Sequence, residues 1–221
     1  NVYARLREMI LTNMLQAGQK LVDRDLAEQL GVSRTPVREA LGRMAMMGLV
    51  EARSRRGYYV SEYTTEQMSD LYEFRKMLEV EAARLAALNA QPSHLQEFDR
   101  ILADSEKLVS TPGSFARTVK LDLELHQLIA RASGNSSLHQ AIRNLLDKVV
   151  CFIWVDWVDE ATANTITIAT AHAEHQALIC SIKEKDSKAA AETMEAHIEG
   201  AKGGLEKLFQ AREDLRKAVL A

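Results

Sequence analysis

Asp122 and His126 stand four residues apart in Leu121-Asp122-Leu123-Glu124-Leu125-His126, a spacing that stacks a carboxylate and an imidazole on one face of a helix. Two more histidines fall on later helical segments, His175 in Ala173-Glu174-His175-Gln176-Ala177-Leu178-Ile179 and His197 in Met194-Glu195-Ala196-His197-Ile198. Three imidazoles and a carboxylate converging inside a helical bundle would hold zinc, nickel or manganese and leave positions open for water or a ligand carboxylate. Spacing alone equally allows a plainer outcome. Asp122 and His126 are then a surface ion pair, and each other histidine is a partly buried, hydrogen-bonded residue.

A second set of side chains is basic and sits near the start. Arg34, Thr35 and Arg38 lie on the outward face of a short helical segment, with Arg43 further along, and Arg55-Arg56-Gly57 follows in a turn. Arginine's planar fork can bond guanine O6 and N7 together, and threonine can reach a phosphate or a thymine methyl. Two arginines and a glycine at a loop tip suit close approach to a phosphate backbone or minor groove. The alternative is that these arginines only solvate the surface of a small domain.

The elements that would position the basic set are legible. Val2, Leu6, Met9 and Ile10 recur at helical spacing and Gly18 closes the segment, which predicts a first helix of about four turns. Asp23 or its neighbour opens a second helix, Leu26, Ala27 and Leu30 form its inner face, and Gly31 ends it in the left-handed conformation. Ser33 or Thr35 caps a third, whose first turn accommodates Pro36 and whose inner stripe is Val37, Ala40, Leu41 and Met44. Val50-Glu51-Ala52 and Tyr58-Tyr59-Val60 read as two short strands of a wing. A helix-turn-helix followed by a wing presents the start of its last helix to the major groove.

The rest of the 221 residues predicts helices near 64–89, 92–109, 113–133, 135–159, 161–184 and 186–212, punctuated by Pro92, Pro112-Gly113 and Gly134-Asn135. The expected fold is therefore mainly α, with a winged helix-turn-helix domain at 1–62 and an antiparallel all-α bundle of about six helices at 63–221. Only 10 glycines and 3 prolines interrupt it. Trp154 and Trp157 are expected in the core or an interface, or lining a pocket. The net charge of −3 divides unevenly, with ten Lys and Arg against seven Asp and Glu through residue 62 and an acidic remainder, so a polyanion is expected at one end only. Cys151 and Cys180 lack a CxxC partner, which argues against a disulfide framework or a thiolate zinc site and fits a reducing cytoplasm. The longest apolar run, Val149 to Val155, falls far short of the ~20 residues that cross a bilayer, so no membrane partner is expected.

The run Asp25-Leu26-Ala27-Glu28-Gln29-Leu30-Gly31-Val32-Ser33-Arg34-Thr35-Pro36-Val37-Arg38-Glu39-Ala40-Leu41, with Gly48-Leu49-Val50 and Arg56-Gly57-Tyr58-Tyr59-Val60, resembles the GntR family of bacterial regulators. The resemblance implies that Arg24, Arg34, Thr35, Arg38, Arg43, Arg56 and Gly57 face operator DNA. Asp122-x-x-x-His126, continued by Ala132-Ser133-Gly134-Asn135 and later by Glu174-His175, Asp186 and His197, is similar to the FCD ligand-binding domain of the FadR subgroup. The six-helix count resembles its VanR-like branch. That similarity implies a divalent metal, zinc foremost, on Asp122, His126, His175 and His197. His172, one turn before His175, departs from the pattern as a surface residue or a competitor. Arg75 matches an arginine that in similar domains faces the cavity and pairs with an organic acid, against the plainer i,i+4 pair with Glu79.

Together these imply a homodimeric regulator, expected to be a repressor and not an enzyme. A small carboxylate at the metal and Arg75 would weaken its grip on a palindromic operator. A metal-dependent hydrolase on a DNA anchor is the alternative from another class. It lacks a general base, because Glu124 projects about 160 to 200 degrees from Asp122 around the helix. A regulator that senses the ion itself is the third reading.

Overall fold

A computed structural model describes residues 1–12, 14–62, 64–111, 113–156 and 165–220. They form two compact units, Asn1–Thr64 with Asp147–Asp156, and Thr65–Leu146 with the described residues after Asp156.

In the first unit, α1 (Val2–Leu11) starts on the Asn1 side chain, which accepts the Tyr3 amide at 3.0 Å. The helix is shorter than the expected four turns. Thr12 returns its hydroxyl to the Glu8 carbonyl, and the chain then turns so that the Gly18 amide, at φ +74, donates to Val60. Residues near Gly18 are thus recruited to a sheet, whose first strand, β1 (Lys20–Leu21), was not foreseen. Two residues carry no detectable alternation.

Helix α2 (Asp23–Leu30) ends at Gly31, φ +67, as expected, and the Val32 amide closes back on the Ala27 carbonyl. Helix α3 (Arg34–Met46) has Ser33 at its N-cap in extended geometry, but the hydroxyl makes no capping bond. Strands β2 (Val50–Arg53) and β3 (Gly57–Val60) pair antiparallel, and the sheet order is β1-β3-β2. Leu6, Val37, Leu41, Met44 and Leu49 are sealed in the core beneath them, which fixes the angle at which α3 turns its polar face outward.

Six helices follow the winged head among the described residues: α4 (Thr65–Asn89), α5 (Pro92–Val109), α6 (Phe115–Ala132), α7 (Ser136–Asp156), α8 (Thr165–Lys183) and α9 (Ser187–Leu220), all in the second unit except the part of α7 from Asp147 on, which belongs to the first. Helix α4 lies against α6, α8 and α9, and its buried Ala82, Ala83, Ala86 and Ala87 allow close approach. Pro92 occupies the first turn of α5, where its missing amide costs nothing, and Asn135 accepts the Leu138 amide at the start of α7. The side chains of Trp154, Trp157 and Cys151 lie outside the described residues. Among the described residues, no helix is long and apolar enough to cross a membrane.

Candidate metal centre and nucleic-acid interface

Helices α6, α8 and α9 bring Asp122, His126, His175 and His197 together, with the three histidines buried and their ligand atoms all within 4.8 Å of one another. Asp122 Oδ1 lies 3.5 Å from His126 Nε2, 3.1 Å from His175 Nε2 and 3.7 Å from His197 Nε2. His126 Nε2 and His197 Nε2 are 3.2 Å apart. Donors held at about 2.1 Å from one ion sit about 3.0 to 3.4 Å apart when adjacent. Two of the four spacings fall in that range and the other two lie slightly beyond it, so small side-chain movements would close the donors around one ion.

Hydrogen bonding tests the same point independently. His175 Nε2 is buried and has no hydrogen-bond partner among the described residues, although Asp122 Oδ1 lies 3.1 Å away. A buried polar nitrogen without a partner is costly, and a metal ion is a group that would use its lone pair. The donor set fits a divalent ion.

Two glutamates fix the imidazoles from behind. His126 Nδ1 donates to Glu79 on α4, and His197 Nδ1 donates to Glu174 on α8 at 2.7 Å, which leaves each Nε2 directed to the shared centre. Burial disfavours charge on Asp122, yet His126, His175 and His197 hold its carboxyl well below the usual range. Burial lowers the His175 pKa. It acts against His197 too, but the nearby Asp122 carboxylate and the hydrogen bond to Glu174 outweigh it and raise that pKa to about 9.

Arg75 is buried beside this cluster and satisfies both readings of its sequence context in part. It pairs with Glu79 one turn along α4, and its Nη2 also lies 3.0 Å from His126 Nε2. Burial works against the guanidinium, and Glu79 with Tyr72 and Asp122 more than offsets it. Glu79 in turn is brought down to about 2, as Arg75 and His126 overcome the burial penalty. His172 stands apart from the centre, with its Nδ1 3.0 Å from Ser105 Oγ on α5. Glu124 pairs with Arg100 at 3.2 Å, away from Asp122's partners. Glu79 and Glu174 had no role beyond neighbours of Arg75 and His175 in the sequence. For Glu79 the signal is a carboxylate placed on a face otherwise built of buried residues, whereas Glu174, half-buried beside exposed Ala173 and Ala177, carries no such mark.

In the first unit, Arg24, Arg34, Thr35, Arg38, Arg43, Arg56 and Gly57 are all exposed. Asp23 holds Arg34 Nη2 at 3.0 Å, and the Arg38 Nε is 3.8 Å from the same carboxylate. Arg43 stacks over the Tyr3 ring, 4.8 Å from its centroid. At the wing tip Arg55 (φ +58) and Gly57 (φ +95) take left-handed geometry, which turns the loop within three residues.

Residues 1–60 match the family of bacterial regulatory proteins described as gntR, and residues 70–200 match the FCD domain. The chain belongs to the GntR family and carries an FCD domain. The HTH-type transcriptional regulator YdhC of Bacillus subtilis (strain 168) is 26% identical over 196 residues, covering 89% of this GntR-family chain and 85% of the relative. The Nta operon transcriptional regulator of Aminobacter aminovorans is 30% identical over 149 residues, 67% of this chain and 70% of its own. The structure of E. coli McbR/YncC has the same fold, with a TM-score of 0.82, 21% identity and coverage of 94% of this chain and 96% of that one. The GntR/FCD chain is thus a DNA-binding transcription regulator rather than an enzyme. Its exposed arginines and its buried Asp/His centre lie in regions matched by separate families.

Proposed function

We propose that this regulator represses transcription in the cytoplasm by binding a palindromic operator as a homodimer. Residues 1–62 are the reading head, and residues 63–221 the effector-binding and dimerisation domain. Asp122, His126, His175 and His197 would hold a divalent ion, zinc in the first place, with nickel or manganese as alternatives. Arg75 would pair with a small organic acid beside it. The observation that carries this reading is the convergence of four donor atoms within 4.8 Å of one another, with His175 Nε2 buried and without a hydrogen-bond partner among the described residues.

The ion would supply an electrophilic anchor for a carboxylate oxygen. The chain's own groups do the rest. Glu79 and Glu174 keep the Nδ1 protons of His126 and His197, so each ring's Nε2 is the one facing the centre. Arg75, with Nε on Glu79 and Nη2 3.0 Å from His126 Nε2, adds a buried positive charge next to it that attracts an organic acid. In the head, Arg34 and Arg38 would read guanine edges, Thr35 and Arg43 would touch backbone, Arg24 would flank them, and Arg56 with Gly57 would approach the neighbouring groove.

The test is a titration of sugar acids, hydroxy acids and dicarboxylates against the zinc-loaded protein, on duplexes selected from genomic fragments. One acid should raise the melting temperature and weaken operator affinity at least tenfold. No response in either measurement from any acid would overturn the effector reading, and release of operator by chelation alone would favour sensing of the ion itself. Arg34→Ala with Arg38→Ala should abolish selective binding, and unchanged duplex affinity would overturn the assignment of the reading face.

A further inference from the structure

Asp23 is the first residue of α2, and its carboxylate faces the start of α3 across the helix-turn-helix. Arg34 Nη2 lies 3.1 Å from Oδ1 and 3.0 Å from Oδ2, straddling the carboxylate, and Arg38 reaches the same Oδ2 from one turn further along α3. The acid is the better covered partner, with its side chain 22% exposed against 61% and 68% for the two arginines. Its carboxyl is held below the usual range, chiefly by the hydrogen bond from Arg34.

A negative charge in that place has a definite cost for a surface meant to meet phosphates, because it cancels part of the field that attracts them. Exposed ion pairs also stabilise a fold little, so stability is a poor reason for it. What the pair does accomplish is conformational. An arginine on a free surface samples many rotamers and loses them on binding, whereas a tethered one has already lost them. Nη2 of Arg34 is held by the carboxylate, while Nε and Nη1, which have no partner among the described residues, can each donate a single hydrogen bond from an oriented guanidinium. Arg24 gives the contrast, since its partner Asp25 is its sequence neighbour and meets it through a single oxygen at 3.1 Å.

We propose that Asp23 is a specificity-determining positioning residue, which orders Arg34 and Arg38 for base readout while reducing indiscriminate attraction to phosphate. The proposal rests on the reading head assigned above. It predicts that charge and selectivity move in opposite directions when the carboxylate is removed.

The experiment uses the full chain and two duplexes of equal length, a genomic fragment that it selects and a scrambled version, at several salt concentrations. Asp23→Asn should bind the scrambled duplex severalfold more tightly, and its preference for the selected fragment should fall by about tenfold. Glu28→Gln, which makes the same charge change on the exposed side of α2, should tighten both and keep the preference within about twofold. Arg34→Lys, which keeps the charge and loses the planar guanidinium that Asp23 orients, should lose preference as Asp23→Asn does, so the conclusion does not hang on one variant. An unchanged or increased preference in Asp23→Asn, or equal behaviour of Asp23→Asn and Glu28→Gln, overturns the proposal. Failure of the unaltered protein to prefer any fragment would instead defeat the reading head itself.

Discussion

Metal uptake by the Asp/His centre should be coupled to pH through His197. The perturbation is acidification from pH 8 to pH 6. With its pKa raised to about 9 by Asp122 and Glu174, His197 carries a proton in the metal-free protein throughout that range and must release it before its Nε2 can serve as a ligand. His175, whose pKa burial lowers, is already neutral through most of it and adds little. Each pH unit should then weaken apparent affinity about tenfold, or about 100-fold across the two units, equal to about 2.7 kcal/mol. Competition with a chromophoric chelator measures the affinity. Calorimetry in buffers of different ionisation enthalpy should count about one proton released per ion at pH 7. The same shift governs the metal-free fold. A raised pKa stabilises it fully below about 6.5, and that contribution is lost as pH rises through about 9, so the apo protein should lose stability over this interval, on the order of 3 kcal/mol at most. Affinity independent of pH, with no proton released, would refute the reasoning.

Two further outcomes follow from single residues. Gly31→Ala should destabilise by about 1 to 2 kcal/mol through backbone strain alone, since φ is +67 and no atom lies within 4 Å of an added Cβ; urea unfolding that shifts by less than half of this would show that α2 can end differently. Arg75→Met should cost about 3 to 5 kcal/mol by leaving Glu79 charged and buried with the His126 imidazole but no guanidinium beside it, and adding Glu79→Gln should recover part of the loss, as a double-mutant cycle measures; strictly additive effects would show that the pair is not coupled.

The reading head was legible because short-range signals agree in it. Gly31 ends α2, Pro36 falls in the first turn of α3, and Val37, Ala40, Leu41 and Met44 recur at helical period, so the outward face is determined by subtraction. Where a long-range partner decides, the signal fails. The end of α1 is set by residues some fifty positions away, as Gly18 and Lys20–Leu21 pair with β3, and an amphipathic pattern running toward Gly18 cannot reveal that competition. In the helical unit, Asp122 and His126 were visible as an i,i+4 pair, but no spacing rule links α6 to His175 and His197. His172 and His175 shared a candidate face, and packing separates them: α8 touches both α5 and α9, so one imidazole meets Ser105 and the other the centre.

The residues that sequence reasoning passed over are all carboxylates with a cation or imidazole to hold. Glu79 was visible only as the i,i+4 partner of Arg75, Asp23 only as the opening of a helix and Glu174 only as the neighbour of His175, because the spacing of an acid to its partner is meaningful only within one helix. Each in fact acts across helices: Glu79 from α4 to α6, Glu174 from α8 to α9, Asp23 from α2 to α3. Candidate ligands and reading arginines announce themselves by residue type, whereas the groups that orient them are recognisable only once the fold has brought the helices together. A side chain's aim, rather than its presence, separates an Arg/His constellation that can bind a partner selectively from one that merely carries charge.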